Sequence, residues 1–228
     1  MKKNILLSRL AYFLIAVILI NFFLHYIYRF NFAIEFFWYC NAATIVLILG
    51  ILFDKKGLVS AVFITAIAAQ FRWIVDYILV PIGYRSGRTA WLFSEGLFIF
   101  TISTILHASL IPISFYATYK IGFSKKSLLY GFIIFILLMF PLTYFFTPID
   151  ENINCVFYPC DLNLDETPEE IYSNPDYISI NYLIKVMLFW SFIIVISYFI
   201  SLNFFKIISA PPKDRKRIMN LFLRRNKN

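Results

Sequence analysis

The chain has 228 residues, 61% hydrophobic and only 15% charged, whereas ordinary soluble domains carry about a quarter charged residues. That is the composition of an all-α polytopic membrane protein, and it leaves no room for a separate soluble domain. The net charge of +8 sits in short loops and the C-terminal tail rather than on a folded surface, which points to membrane topology and lipid contact and away from nucleic acid.

A hydrocarbon core takes roughly 20 apolar residues per helix. Six runs qualify in chain order: 7–28, 33–53, 58–82, 95–119, 127–147 and 181–205. Met1-Lys2-Lys3 opens the first like a signal peptide, but its apolar region is long and no small-residue cleavage site follows. It reads as a retained signal-anchor. Asp54-Lys55-Lys56-Gly57 ends the second run, and Gly83-Tyr84-Arg85-Ser86-Gly87-Arg88 follows the third. Gly122-Phe123-Ser124-Lys125-Lys126 separates the fourth from the fifth.

Basic residues set the orientation. Of the 21 Lys and Arg, 16 fall before helix 1, in the 2–3 and 4–5 loops, or after helix 6. The positive-inside rule then places both termini in the cytoplasm. The expected organisation is a six-helix domain over 1–205, with an external loop 148–180 and a basic cytoplasmic tail 206–228. A bacterial cytoplasmic membrane is the expected location. The loop carries eight acids and no Lys or Arg, and reads either as a lid or as a solvated connector. Within it, Cys155 and Cys160 lie in a compartment that permits disulfides, so a local bridge is open to them. The tail alternates basic residues with Ile218, Met219, Leu221, Phe222 and Leu223, as an interfacial helix on anionic lipid headgroups does.

Polar residues inside the apolar runs carry the functional reading, because at that depth they usually line a cavity or pathway. His107 lies mid-run in helix 4. Cys40 and Asn41 lie in helix 2, and Gln70, Arg72, Trp73 and Asp76 in helix 3. At 1.5 Å per residue, Cys40 and Asp76 come about 9 Å below the outer surface and His107 about 15–18 Å. One outward-facing cavity can hold them. Cys40, Asn41 and Thr44 share a stripe, as do Ser103, Thr104, His107 and Ser114, and Gln70, Trp73 and Tyr77. Pro112 frees the carbonyl of Ala108, so a kink is expected near His107. Arg72 and Asp76, one turn apart, are expected to pair, with Asp76 alternatively orienting His107. His25, near the outer end of helix 1 beside Tyr26 and Tyr28, reads as an interfacial residue.

A thiol beside an imidazole is the arrangement of an activated nucleophile, with amide donors for the oxyanion. Cys40 and His107 are the expected catalytic pair. Asn41 and Gln70 are the expected donors, and Trp73, Asp76, Asn152 and Asn154 complete the substrate-binding set. No Walker loop, dinucleotide fingerprint or zinc motif is present, and the expected chemistry needs no cofactor or metal.

Trp38-Tyr39-Cys40-Asn41, Gln70-x-x-Trp73-x-x-Asp76, His107 with Pro112, and Asn152-Ile153-Asn154 together resemble a group of bacterial six-helix integral membrane proteins. More distantly they are similar to the YwaF-like family, which includes the eukaryotic ether-phospholipid acyltransferase that works with a membrane Cys and His. The resemblance covers helices 2–5 and implies Cys40 as acyl-accepting nucleophile and His107 as base. It departs at Asn41, where the acyltransferase-type members carry Ser, and at the Trp-Tyr pair before the Cys. The expected function is an intramembrane lipid acyltransferase or acyl-ester hydrolase. The alternatives are a proton-coupled or small-solute transport or binding protein and a non-catalytic assembly partner.

Overall fold

The computed structural model describes residues 4–29, 32–83, 92–93, 96–160, 170 and 173–209. Arg85, Arg88, four of the loop acids (Asp161, Asp165, Glu166 and Glu169) and nearly all of the basic tail lie outside the described residues. Every described element is helical. Helix α1 spans Ile5–Arg29, and Asn4 Oδ1 caps it by accepting from the amides of Leu6 and Leu7. A short α2, Phe32–Glu35, precedes α3, Tyr39–Leu52. The remaining helices are α4 (Lys56–Leu79), α5 (Leu97–Ile121), α6 (Ser127–Phe146) and α7 (Ile180–Ser209). Five of them, α1 and α4 to α7, are long and apolar enough to cross a membrane.

The second expected span differs. Instead of one helix over 33–53, the chain breaks between Glu35 and Tyr39, leaving α3 at 14 residues, about 21 Å long. That is shorter than a hydrocarbon core of about 30 Å. Trp38 is extended (φ −67°, ψ 128°) and caps α3 with no side-chain bond of its own. The backbone groups freed at the break are met from a distant part of the chain, as described below.

Proline acts differently in α5 and α6. Helix α5 runs as one α-helix through Pro112. In α6 the turns over Phe132–Met139 widen to π-helix just before Pro141. A proline ring clashes with the carbonyl four residues back, here that of Leu137, and a widened turn takes up the clash.

Helix α4 is central, touching α3, α5, α6 and α7. Its first half is small and buried: Gly57, Ser60, Ala61 and Ala66 let neighbours approach closely. A Cβ on Gly57 would overlap the Tyr130 ring of α6. Ser60 receives the Ser124 amide at 3.1 Å, tying the α5–α6 turn to α4. One core gathers α1, α3 and α5 around Leu14, Leu47 and Leu110. A second joins α4, α6 and α7 around Phe63, Ile136 and Ile194, and includes Val156 and Phe157 of the loop after α6. Helix α7 buries Leu183, Ile194, Ser197, Tyr198, Ser201 and Phe205 and leaves Leu188, Phe192 and Phe199 exposed, the pattern of a peripheral membrane helix with one face on the bundle.

Candidate functional site

A cavity of about 720 Å³ opens between the two cores, large enough for a drug-sized ligand or a lipid headgroup with part of its chain. Cys40, Asn41, Gln70, Trp73, His107, Asn152 and Asn154 all line it, as do Cys155 and Cys160. Asp76 is buried in α4 but is not part of the described lining. Arg72, one turn away, is exposed and does line it, with Lys185 of α7.

His107 is held on two sides. Its Nδ1 lies 2.8 Å from the carbonyl oxygen of Ser103. A carbonyl only accepts, so Nδ1 carries the hydrogen, and in the neutral ring Nε2 keeps its lone pair. The imidazole lies flat against Trp73, centroids 4.1 Å apart and planes 13° apart, and Trp73 stacks in turn on Tyr77. The α4–α5 contact thus fixes the plane of the ring. Among the described residues Nε2 meets no protein partner. Gln70 sits one helical turn from Trp73 on the same face of α4. It is 2% exposed, and its Oε1 is buried with no partner among the described residues. An unmet buried acceptor costs about 1–3 kcal/mol, so this amide is under-satisfied by the described residues.

Cys40 stands in the first turn of α3, lines the same cavity and is buried. Its Sγ lies 4.0 Å from Asn41 Oδ1, and among the described residues no hydrogen bond joins it to His107. The structure brings the two residues to one cavity without bonding them to each other. Asn41 is already committed. Its Nδ2 donates to the Glu35 backbone carbonyl at 2.8 Å and to Glu35 Oε2 at 3.0 Å, and its Oδ1 accepts from Asn21 Nδ2 at 3.4 Å. Neither amide hydrogen is left for an oxyanion. Glu35 Oε1 meets His25 Nδ1 at 3.1 Å. Glu35 and His25 are 4% and 5% exposed, so His25 is buried against the Glu35 carboxylate rather than interfacial. The bond from Asn41 to the second Glu35 oxygen helps to offset the cost of burying that carboxylate.

Sequence reasoning missed this network. Two signals pointed to it. Glu35 is the sole acid among the first 53 residues, and Asn21 and His25 are spaced by four on one helix face.

The loop after α6 forms the third wall. Asn154 Oδ1 accepts from the Tyr39 amide at 2.9 Å, while Nδ2 donates to the Phe37 carbonyl and to Thr143 Oγ1. Asn154 therefore caps α3 from more than 100 residues away and supplies what the break in the second span lacks. Asn152 Oδ1 accepts from the amides of Phe157 and Tyr158, and its Nδ2 donates to the Tyr158 carbonyl at 2.9 Å. Both side chains hold protein in place. Asn152, Asn154 and Cys155 all have positive φ, a conformation asparagine tolerates better than most residues. Cys155 and Cys160 are disulfide-bonded, Cα atoms 5.4 Å apart. No protein-family model, curated protein or solved structure matches the chain.

Proposed function

We propose that the protein is an intramembrane enzyme that transfers or hydrolyses the acyl group of a lipid ester, with Cys40 as nucleophile and His107 as base. The observation that carries this reading is that Cys40 and His107 line one cavity, with His107 anchored through Nδ1 and its Nε2 unpartnered among the described residues. An imidazole whose Nδ1–H is anchored on a carbonyl is oriented for base catalysis at Nε2. In the proposed first step Nε2 takes the thiol proton, Sγ attacks the ester carbonyl, and the Gln70 amide steadies the oxyanion. The leaving alkoxide takes the proton back from His107, and the acyl group stays on Cys40 as a thioester. Attack by water or an acceptor releases it and regenerates the thiol. Asn41 acts here as a positioning residue, because Glu35 occupies its donors.

The likeness to the YwaF-like family belongs to the same proposal. So do six membrane passages, α2 and α3 together making the second, with both termini in the cytoplasm of a bacterial cell and the basic tail on anionic lipid. Lipid enters sideways between helices, and the loop after α6 covers the outward side. The test is release of fatty acid from a fluorogenic phospholipid in proteoliposomes. Cys40→Ala reduces turnover to background, and full activity in that variant refutes the mechanism.

One observation favours a second reading. A discontinuous helix beside a buried His–Glu pair is a feature of transporters that bind solute or protons at the break. Uptake into liposomes that needs His25 and Glu35 but not Cys40 would select it.

A further inference from the structure

The wall between Gln70 and His107 is unlike the rest of the cavity. Gln70 is 98% buried and lines the cavity, and its Oε1 has no partner among the described residues. The last side-chain bond of Gln is soft, so the amide can present its NH2 to the oxyanion or, turned over, its oxygen to a donor in the cavity. His107 offers Nε2 as a second acceptor, because Nδ1–H is spent on the Ser103 carbonyl. Trp73, one turn from Gln70 on α4, stacks on the imidazole of α5 at 4.1 Å and so links the two residues across the helix pair. Leu106, Phe135 and Ile136 line the same cavity and suit an alkyl chain. A group that both donates a hydrogen and trails an alkyl chain matches this wall. An ether or ester oxygen leaves both acceptors unmet.

We propose that Gln70 Oε1 and His107 Nε2 form a subsite for the hydroxyl or primary amine of an amphiphile, and that this group is the acyl acceptor. The acceptor role rests on the acyl-transfer reading above, while the binding does not. In the transfer step the hydroxyl oxygen, or the amine nitrogen, attacks the Cys40 thioester carbonyl. Its proton passes to His107 Nε2 and then to Sγ as the C–S bond breaks. The product is an ester or amide and the thiol is restored. Water, with no alkyl chain to hold it on this wall, is the poorer acceptor.

The chain has only two histidines, so the experiment uses protein with 15N-labelled imidazoles in phospholipid nanodiscs. The His107 signals are assigned by their loss in His107→Gln. Dodecanol and dodecylamine are titrated against dodecyl methyl ether, which accepts but cannot donate. The alcohol and the amine are expected to shift the Nε2 resonance saturably, and the ether is not. Gln70→Leu is expected to raise the dodecanol midpoint about tenfold, the loss of one hydrogen bond to a buried acceptor. Gln70→Glu, which restores an acceptor, is expected to keep dodecylamine binding and shows that position 70 tolerates replacement. Equal shifts with the ether, no shift with any probe, or an unchanged midpoint in Gln70→Leu overturns the subsite. Thioester formation on Cys40 without a dodecanol shift refutes the subsite alone. A dodecanol shift with no acylation of Cys40 refutes the acyl-transfer reading alone.

Discussion

Replacing Asn154 tests how the cavity is held together. Its side chain meets the Tyr39 amide at 2.9 Å, the Phe37 carbonyl and Thr143 Oγ1 at 3.3 Å. Two of these partners are backbone groups at the break before α3. With a net worth of about 1 kcal/mol for each, Asn154→Gly is expected to cost about 2 kcal/mol. Asn154 has φ +56°, which glycine adopts freely and alanine does not. Asn154→Ala is therefore expected to cost about 1 kcal/mol more than the Gly variant, about 3 kcal/mol in all. Reversible unfolding in mixed micelles measures both. Amide exchange provides the local readout: protection of Tyr39 to Asn41 falls before that of α4, because the first turn of α3 loses its cap. Alkylation of Cys40, in that same turn, is expected to speed up. A Gly variant within about 0.5 kcal/mol of the parent, or an Ala variant no worse than Gly, refutes the clamp.

Three further outcomes are expected. Glu35→Ala leaves the buried His25 without its carboxylate and should cost about 3–5 kcal/mol, seen as a lower melting temperature. A neutral apolar pair, Glu35→Leu with His25→Phe, recovers most of the loss, and no recovery refutes the pairing. Gly57→Ala pushes a methyl into the Tyr130 ring and should cost about 1–3 kcal/mol, relieved by adding Tyr130→Leu. Reducing the bond between Cys155 and Cys160, which closes a loop of separation 5, should cost about 2 kcal/mol, read as a melting shift with reductant that is absent in the double Ser variant.

Most of the helical layout was readable because apolar length and basic punctuation are local properties. The expected limits at 7–28, 127–147 and 181–205 fall close to Ile5–Arg29, Ser127–Phe146 and Ile180–Ser209. The break after Glu35 was not readable. Phe36, Phe37 and Trp38 are as apolar as their neighbours, no Gly or Pro marks the place, and the group that stabilises it sits at residue 154. Tertiary capping of this kind leaves no local trace. Depth counting placed Cys40 about 9 Å and His107 about 15–18 Å below the outer surface, within reach of one cavity, and both line it together with Gln70. Asp76, at the depth estimated for Cys40, is not part of the described lining, because depth says nothing about which way a helix face points. The roles expected for Asn41, Asn152 and Asn154 came from residue type alone. Their hydrogen bonds show amides spent on protein partners, something only the assembled fold decides.

The central claim is that Cys40 and His107 act as nucleophile and base. The most direct measurement incubates the purified protein in lipid with thiol-directed and lipid-ester probes, comparing wild type, Cys40→Ala and His107→Ala by intact mass and peptide mapping. The predicted result is acylation of wild-type protein at Cys40, none in Cys40→Ala, and a rate about 10²-fold lower or less in His107→Ala, the loss expected for a general base. Absence of acyl transfer to Cys40, or the same rate with and without His107, would contradict the account.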